Sequence, residues 1–256
     1  MSIEIGAALT PSMITFGTKS GMLGALEQQL VSGRIAPGQK LPSERELGIE
    51  YRVSRTVVRE TLSGLADRGY IEIIPGRGSF ARPPEASDLA QPMVRIAQQE
   101  GVTSRHLVDA RKVLECAAAS AAARSATAED VTALDEALAA HLRADGLDQR
   151  VATDIAFHRA IARASGNPVL EVMFTAIGEL VSDIMYRSHS DPQVHSAGDP
   201  MHGEILARIV AHDADGAADA MRRHLDLALQ LYGPDVDEPL RDVLRRRGIG
   251  AERAGG

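Results

Sequence analysis

One aspartate and three histidines are spaced so that they could hold a metal ion. Asp154 and His158 are four residues apart, so a helix would place the carboxylate and the imidazole on one face, where the pair can bind one cation. The same spacing more often produces a hydrogen bond at the surface. The pair alone therefore does not distinguish a metal site from a surface contact.

Two further histidines favour the metal site. His202 and His224 each lie eleven residues from Asp213, on the two sides of a predicted turn at residues 213–215. At 1.5 Å per helical residue, each lies roughly 16 Å from the turn, so antiparallel helices would place them side by side. Three imidazoles and one carboxylate suit a divalent transition metal, with zinc as the first choice and nickel or manganese as alternatives. The other histidines show no such arrangement and are expected to be surface or core residues: His106, His141, His189, His195 and His212.

A second set of residues could contact DNA. Arg55 and Arg59 are neighbours near the start of a predicted helix, whose apolar stripe is formed by Val58, Leu62 and Leu65. Arginine can donate paired hydrogen bonds to guanine or to phosphate. Such arginines more often form a solvated charged face, so the spacing alone leaves both interpretations open.

Two further residues extend this DNA-binding hypothesis. Thr56, like Arg59, lies away from the apolar stripe, whereas Arg55 lies at its edge. Arg77 lies between Gly76 and Gly78 at the tip of a predicted hairpin, where it could enter a minor groove without obstruction by the backbone.

The elements that would position these residues form a winged helix-turn-helix. After a first amphipathic helix, Ser43 begins a second helix with a capping box, and Ser54 is a good cap for a third. Residues 70–74 and 79–82 predict two strands joined by a tight turn. Three helices and a hairpin over residues 19–82 are the layout of a winged DNA-binding domain.

The rest of the chain is predicted to be helical. After a Pro-containing linker at residues 83–87, apolar residues recur at spacings of three and four throughout residues 88–232, which predicts an all-α bundle of six or seven helices. Residues 188–199 are predicted as a polar loop within it. Residues 1–18 form an arm of unknown structure, and the Pro-, Arg- and Gly-rich residues 233–256 predict a flexible tail. The expected fold class is therefore mostly α.

Composition excludes several classes of protein. The chain has 256 residues, of which 44% are hydrophobic and 25% charged, so one or two folded domains are expected and a disordered chain is excluded. A single cysteine, Cys116, excludes an internal disulfide framework, and 3% aromatic residues without Trp argue against stacking platforms for single-stranded nucleic acid. No apolar run approaches the ~20 residues of a membrane span, and no signal peptide is evident, so a cytoplasmic protein is expected.

The net charge of −7 is unevenly distributed. Residues 19–82 contain ten Lys/Arg and seven Asp/Glu, a balance of +3, and residues 1–18 contribute −1 through Glu4. Residues 83–256 therefore carry −9. A basic segment joined to an acidic one favours two tasks in one chain, although an excess of +3 can also arise by chance.

Three segments of the basic region closely resemble the DNA-binding domain of GntR-family transcription regulators: residues 36–47 (APGQKLPSEREL), 53–60 (VSRTVVRE) and 76–80 (GRGSF). The resemblance implies binding to a double-stranded DNA operator. In that family the contacts fall on the arginine of the Pro-Ser-Glu-Arg segment, on the Ser-Arg pair that begins the recognition helix, on the arginine four residues later and on the wing. The corresponding residues are Arg45, Ser54, Arg55, Arg59, Gly76 and Arg77.

The helical region resembles the FCD effector domain of the FadR subfamily within the GntR family. Asp154, His158, His202 and His224 match that domain's metal-binding pattern in order and spacing. The resemblance implies a metal at the floor of a cavity that receives a small carboxylate, such as a sugar acid or a hydroxy acid. Arg111 matches an arginine that faces this cavity and could grip a carboxylate with a forked pair of hydrogen bonds. An ordinary ion pair with Glu115, four residues on, is an equally good interpretation of Arg111.

The resemblance implies a homodimeric, ligand-responsive regulator that binds a near-palindromic operator. Repression relieved by the ligand is the commoner response in this family, and activation is the alternative. The alternative is a metal-dependent hydrolase that uses the Asp/His₃ ion. The sequence places no further carboxylate or histidine as a general base, and a DNA-binding domain would be unexplained in such an enzyme. No enzymatic activity is therefore expected.

Overall fold

The computed structural model describes residues 17–249, apart from the side chain of His195. The chain divides into two compact units, Met1–Asp88 and Leu89–Gly256, and each has its own buried apolar cluster. Of the arm predicted for residues 1–18, all but Gly17 and Thr18 lies outside the described residues. No helix in the described part of the chain is long and apolar enough to cross a membrane.

The first unit is a winged helix-turn-helix, as its sequence predicts. Helices α1 (Lys19–Val31), α2 (Glu44–Tyr51) and α3 (Arg55–Asp67) are followed by strands β1 (Ile71–Ile74) and β2 (Gly78–Ala81). The strands are antiparallel and pair Ile71 with Ala81 and Ile74 with Gly78. The core consists of the apolar side chains that face inward from all five elements: Met22, Leu26, Leu47, Tyr51, Val58, Leu62, Leu65, Ile71 and Ala81.

Local hydrogen bonds determine where α2 and α3 begin. Ser43 accepts a hydrogen bond from the Glu46 backbone, whose side chain accepts one from the Ser43 backbone, and this capping box begins α2. The Ser54 hydroxyl accepts a hydrogen bond from the Val57 backbone and begins α3. Between the helices, Arg52 adopts a left-handed conformation with φ 56°, so the chain reverses within three residues.

The second unit is an all-α bundle, and its described residues form nine α-helices. They are α4 (Ala90–Gln99), α5 (Ser104–Ser125), α6 (Ala128–Leu142), α7 (Leu147–Ala164), α8 (Pro168–Ala176), α9 (Gly178–His189), α10 (Pro192–Val210), α11 (Ala214–Leu231) and α12 (Leu240–Arg246). Helix α5 packs closely against α11, and both helices contain small residues that are almost completely buried, among them Ala119, Ala122, Ala217 and Ala220. The bundle thus contains more than the six or seven helices predicted.

The additional helices arise because α8 and α9 are separate and because α12 lies beyond the predicted bundle. A further correction concerns the predicted loop at residues 188–199, most of which is helical and lengthens α9 and α10. The Asp191 side chain accepts a hydrogen bond from the Gln193 backbone, and Pro192 occupies the first helical position. Helix α10 therefore begins at Pro192, within the predicted polar loop. Helix α10 continues through Pro200, although proline usually disrupts a helix at an interior position. His202 therefore lies inside α10 and not at its start.

A second difference concerns residues 233–256, where the flexible-tail prediction is wrong for the part that the structure describes. A 3₁₀ turn (Pro234–Asp237) and α12 pack onto the bundle, with Leu240, Val243 and Leu244 buried. The buried guanidinium of Arg187, at the end of α9, donates hydrogen bonds to Asp235 and to the Tyr232 carbonyl. These contacts hold the segment on the bundle, although its polar composition predicted a flexible tail.

Candidate nucleic-acid interface and candidate metal centre

All the residues predicted to contact DNA are exposed on the winged unit. Arg45 lies in the first turn of α2, while Ser54, Arg55, Thr56 and Arg59 lie at the start of α3, which is the recognition helix of the motif. Gly76 and Arg77 form the tip of the wing. The opposite face of α3 is buried through Val58, Leu62 and Leu65, so the core fixes which face of the helix is presented.

The two arginines of the recognition helix differ in their contacts. Arg59 donates to Glu44 over 2.9 Å, in an ion pair whose arginine side chain remains 71% exposed. Arg55 forms no ion pair within residues 17–249. Because exposed ion pairs contribute little to stability, Arg59 can exchange Glu44 for a base or a phosphate at small cost.

The wing includes a lysine that the sequence analysis missed. Lys40 forms a β-bridge to Phe80, and its ammonium lies 5.8 Å from the centre of the Phe80 ring. The Arg77 guanidinium carbon lies 5.7 Å from the same ring, so two cations flank one aromatic side chain beside the hairpin. Only the pairing of residues 40 and 80, forty positions apart, brings Lys40 to the wing.

In the helical unit, the four predicted metal ligands come together in the interior. Asp154 and His158 lie on α7, His202 on α10 and His224 on α11. The Asp154 Oδ1 atom lies 3.0 Å from His202 Nε2 and 3.3 Å from His158 Nε2, and the His202 and His224 ring centres are 4.4 Å apart. One nitrogen from each of the three histidines lies within 4.8 Å of the others. The predicted side-by-side placement of His202 and His224 is observed.

The hydrogen bonds around this cluster orient nitrogen lone pairs toward its centre. His202 Nδ1 lies 3.2 Å from the Asp199 carbonyl, to which it donates, and His158 Nδ1 lies 2.5 Å from a carboxylate oxygen of Glu115. If each ring carries a single proton on Nδ1, both Nε2 atoms present lone pairs to Asp154 Oδ1, whereas a doubly protonated His158 donates to it. His224 Nδ1 is buried and has no hydrogen-bond partner among the described residues. A divalent cation would satisfy all these groups, so the donor set fits a metal ion.

The pKa values of the side chains in the cluster depend on one another. Burial tends to raise the pKa of Asp154, but His202, His158 and His189 hold it well below its usual range. Burial tends to lower the pKa of His158, but Glu115 and Asp154 raise it to about 9. Burial and the neighbouring histidines lower the pKa of His224 well below its usual range. Without an ion, the proton held by His158 is the charge that keeps these acceptors together.

Arg111 forms the ion pair with Glu115 that the sequence offered as one interpretation, and its role in ligand binding stays a prediction. It is almost fully buried on α5 and forms a two-pronged ion pair with Glu115, with Nε–Oε1 at 2.5 Å and Nη2–Oε2 at 3.3 Å. It also lines a cavity of about 30 Å³ together with Asp154, His202 and His224. Glu115, which the sequence analysis considered only as a partner of Arg111, links that arginine to His158.

Two other histidines join the cluster, and their placement corrects the sequence analysis, which found no arrangement for them. His189 Nε2, at the end of α9, lies 2.8 Å from Asp154 Oδ2. His141, at the end of α6, is buried with its ring centre 4.9 Å from that of His202. His106 and His212 remain at the surface, and the side chain of His195 lies outside the described part.

A larger cavity lies elsewhere in the helical unit. It has a volume of about 460 Å³ and is lined by residues of α4, α9 and α12, including Val94, Leu180, Leu244 and Arg245. None of the predicted ligands lines it. The residues with the chemistry to hold an ion thus surround the smaller cavity.

Both units match known protein families. Residues 20–80 match the family described as "Bacterial regulatory proteins, gntR family", and residues 106–227 match the FCD domain. The HTH-type transcriptional regulator LutR of Bacillus subtilis (strain 168) is 33% identical over 157 residues, which cover 60% of this chain and 71% of LutR. A protein of Escherichia coli (strain K12) assigned to regulation of the L-lactate dehydrogenase operon is 33% identical over 199 residues, covering 75% of this chain and 77% of that protein.

A solved structure, Streptococcus agalactiae GntR, has the same fold. It has a TM-score of 0.62 and 22% identity, and the match covers 83% of this chain and 99% of the other. A winged helix-turn-helix that exposes arginines, followed by a helical unit with a buried polar cluster, defines a DNA-binding transcription regulator. The chain belongs to the GntR family and carries an FCD domain. The matched relatives are regulators and not enzymes, so the hydrolase alternative has no support.

Proposed function

We propose that this regulator binds its operator as a homodimer in the cytoplasm, holds a divalent transition metal in the helical unit, and changes its DNA affinity when a small carboxylate binds to that metal. The observation that carries the proposal is the convergence of two histidine Nε2 atoms on Asp154 Oδ1, in a cavity that Arg111 also lines.

Asp154, His158, His202 and His224 would hold the ion, with zinc as the first choice. Bound there, the metal supplies a Lewis acid that attracts an anionic oxygen. Glu115 fixes the orientation of His158, and the Asp199 carbonyl fixes that of His202, so both rings are preorganised for binding.

The ligand class follows from the charges in the cavity. A carboxylate oxygen can replace water on the ion, and a second oxygen can reach the Arg111 guanidinium, which keeps donors in addition to those used by Glu115. A hydroxy acid or sugar acid has both a carboxylate and hydroxyls for such a site. The assignment of one relative to the L-lactate dehydrogenase operon supports a 2-hydroxy acid as the first candidate.

Entry of the metabolite requires the cavity to open. A volume of about 30 Å³ is close to that of one water molecule, so a metabolite must displace part of the wall. Val194, Gly198 and Asp199 line the cavity and precede Pro200, which donates no backbone hydrogen bond and so weakens α10 at that point. The first two turns of α10 would therefore move when the metabolite binds in the cavity.

The DNA response is proposed to be repression relieved by the metabolite. Two winged units related by two-fold symmetry match a near-palindromic operator. The metabolite can alter operator affinity only to the extent that it prefers one arrangement of the dimer over the other.

Thermal unfolding of the full chain with a panel of carboxylates tests the proposal. We expect L-lactate, glycolate or a hexuronate to raise the melting temperature of the metal-loaded protein, because a ligand at 100 times its Kd adds about 2.7 kcal/mol to the free energy of unfolding. The matched amides and neutral sugars should have no effect, and neither should the carboxylate after chelation. Equal stabilisation by acid and amide, or by the acid without metal, would contradict the proposal.

Gel-shift titration then links the two units. The His202→Ala protein, once shown to melt cooperatively, should bind a cognate operator fragment normally but fail to release it with the carboxylate found above. His212→Ala, which changes an exposed histidine outside the cluster, is the matched control. Normal release by His202→Ala would mean that the metal site does not sense the metabolite.

A further inference from the structure

We propose that the helical unit holds a second divalent cation beside the first, bound by His141, His189 and Asp199, with Asp154 bridging the two ions. This inference rests on the proposed function, because it assumes that the first ion occupies the Asp154–His158–His202–His224 site.

The two oxygens of Asp154 face two different groups of histidines. Oδ1 faces His158 and His202, at 3.3 and 3.0 Å, while Oδ2 faces His189 Nε2 at 2.8 Å. A carboxylate that presents one oxygen to each group can bridge two cations, as in sites whose metals lie ~3.5–4 Å apart. The histidine nitrogens on the Oδ2 side, among them His189 Nε2, are therefore the donors proposed for a second ion.

His141 presents a lone pair on that side. The Thr153 hydroxyl donates to the carbonyls of Gln149 and Arg150, at 2.8 and 3.1 Å, so its oxygen accepts from His141 Nδ1, at 3.2 Å. With its proton on Nδ1, neutral His141 has an acceptor at Nε2, which lies 3.4 Å from Asp199 Oδ1, another acceptor. Two acceptors facing each other need a proton or a cation between them.

The donors form two groups that share His141. One atom each from His141, Asp154 and His189 lies within 4.8 Å of the others, close enough to share one ion, and Asp199 belongs to a second such group with His141 and His202. His141 is buried and His189 nearly so, with ring centres 5.6 Å apart, whereas Asp199 is partly exposed and lines the cavity. Two imidazoles and two carboxylates suit Zn²⁺, Mn²⁺ or Fe²⁺.

The alternative role for these residues is positioning without a second ion, in which His189 orients Asp154 by a hydrogen bond. The two roles predict different metal contents. A bridging site binds two ions in the wild-type chain, and a positioning role leaves one.

The experiment is metal analysis of the untagged full chain after equilibrium dialysis against Zn²⁺, and separately against Mn²⁺. We expect two ions per chain in the wild type, one in His141→Ala and His189→Ala, and two in the control His212→Ala. Asp154→Ala, which removes the bridge, should lose both. Each variant is first shown to melt cooperatively, and His141→Gln replaces His141→Ala if the latter does not fold.

Cobalt titration provides a second readout. Co²⁺ should enter the wild type in two spectroscopic steps with different visible absorption bands, and His141→Gln should abolish only one of them. One ion per chain, unchanged in the His141 and His189 variants but lost in His224→Ala, would overturn the second site and leave the proposed function standing. No bound ion in the wild type would overturn both.

Discussion

The winged unit and the helical unit use side chains in opposite environments. In the winged unit, Arg55 and Arg77 are exposed, and the single ion pair of Arg59 faces solvent. In the helical unit, Arg111 and His158 are buried, and their partners are other members of the same cluster. Function is therefore largely separate from stability in the first unit, whereas in the second the same side chains are expected to serve both.

Loss of Arg111 should have the largest effect on stability. Arg111→Ala leaves the buried Glu115 with His158 as its remaining partner, and breaking a buried pair in this way costs about 3–5 kcal/mol. Chemical denaturation of the full chain, monitored by far-UV circular dichroism, measures the change. An effect below about 1 kcal/mol would show that buried and exposed functional residues do not differ as argued here.

Removal of the ion should be the next largest effect, and it should be confined to the helical unit. Chelation is expected to lower the free energy of unfolding of that unit by about 2.7 kcal/mol if the ion is present at 100 times its Kd. Hydrogen exchange measured by mass spectrometry should show faster exchange in α7, α10 and α11, and unchanged exchange in α1–α3. Equal acceleration in both units would contradict the separation.

The metal-free protein should also show a pH optimum. The raised pKa of His158, about 9, adds stability that is complete below pH 6.5 and is lost as the pH rises from 6.5 to 9. The lowered pKa values of His202 and His224 add stability that is present above pH 6.5 and is lost as the pH falls below it. Melting temperatures of the chelated protein should therefore peak near pH 6.5, and a curve that rises steadily to pH 9 would contradict the assignment to His158.

Substitutions in the recognition helix should weaken operator binding and leave unfolding stability nearly unchanged. Arg55→Ala and Arg59→Ala should each weaken operator binding by ~1–3 kcal/mol while changing unfolding stability by less than about 0.5 kcal/mol. Arg68→Ala, at the far end of the same helix roughly 20 Å from Arg55, is the matched control and should bind normally. Wild-type operator affinity in both single variants would refute the assignment of α3.

The wing should contribute least. Arg77→Ala and Lys40→Ala are expected to weaken binding less than Arg59→Ala and to reduce the slope of log K against log salt by about 1 each, because a phosphate contact releases counterions. Binding measured by fluorescence anisotropy at several salt concentrations tests this ranking. A larger loss for Arg77→Ala than for Arg59→Ala would make the wing the principal contact.

The two units also differ in how much of them could be predicted from sequence. Ser43, Ser54 and the Gly-flanked Arg77 act on neighbours within a few residues, so the winged elements follow from local chemistry. The four proposed ligands could be identified from sequence because they are related by the helical repeat and by one turn between two helices. Their surroundings could not, because Glu115 reaches His158 over forty-three positions and His189 reaches Asp154 over thirty-five.

The predicted loop at residues 188–199 shows a second reason. Gly198 and Pro200 disfavour a helix in isolation, but Val194 is buried, and packing in the bundle outweighs that preference. The Asp191–Pro192 pair was the available local signal for a helix start.

The contact between Arg187 and Asp235, which holds the 3₁₀ turn on the bundle, can form only late in synthesis of the chain. Asp235 is made forty-eight residues after Arg187. All core residues of the first unit, by contrast, have been made by Asp88. At about 5–20 residues per second, the 147 residues from Leu89 to Asp235 take roughly 7–30 s to make. The whole sequence of the winged unit is thus synthesised well before the bundle can form the contact between Arg187 and Asp235.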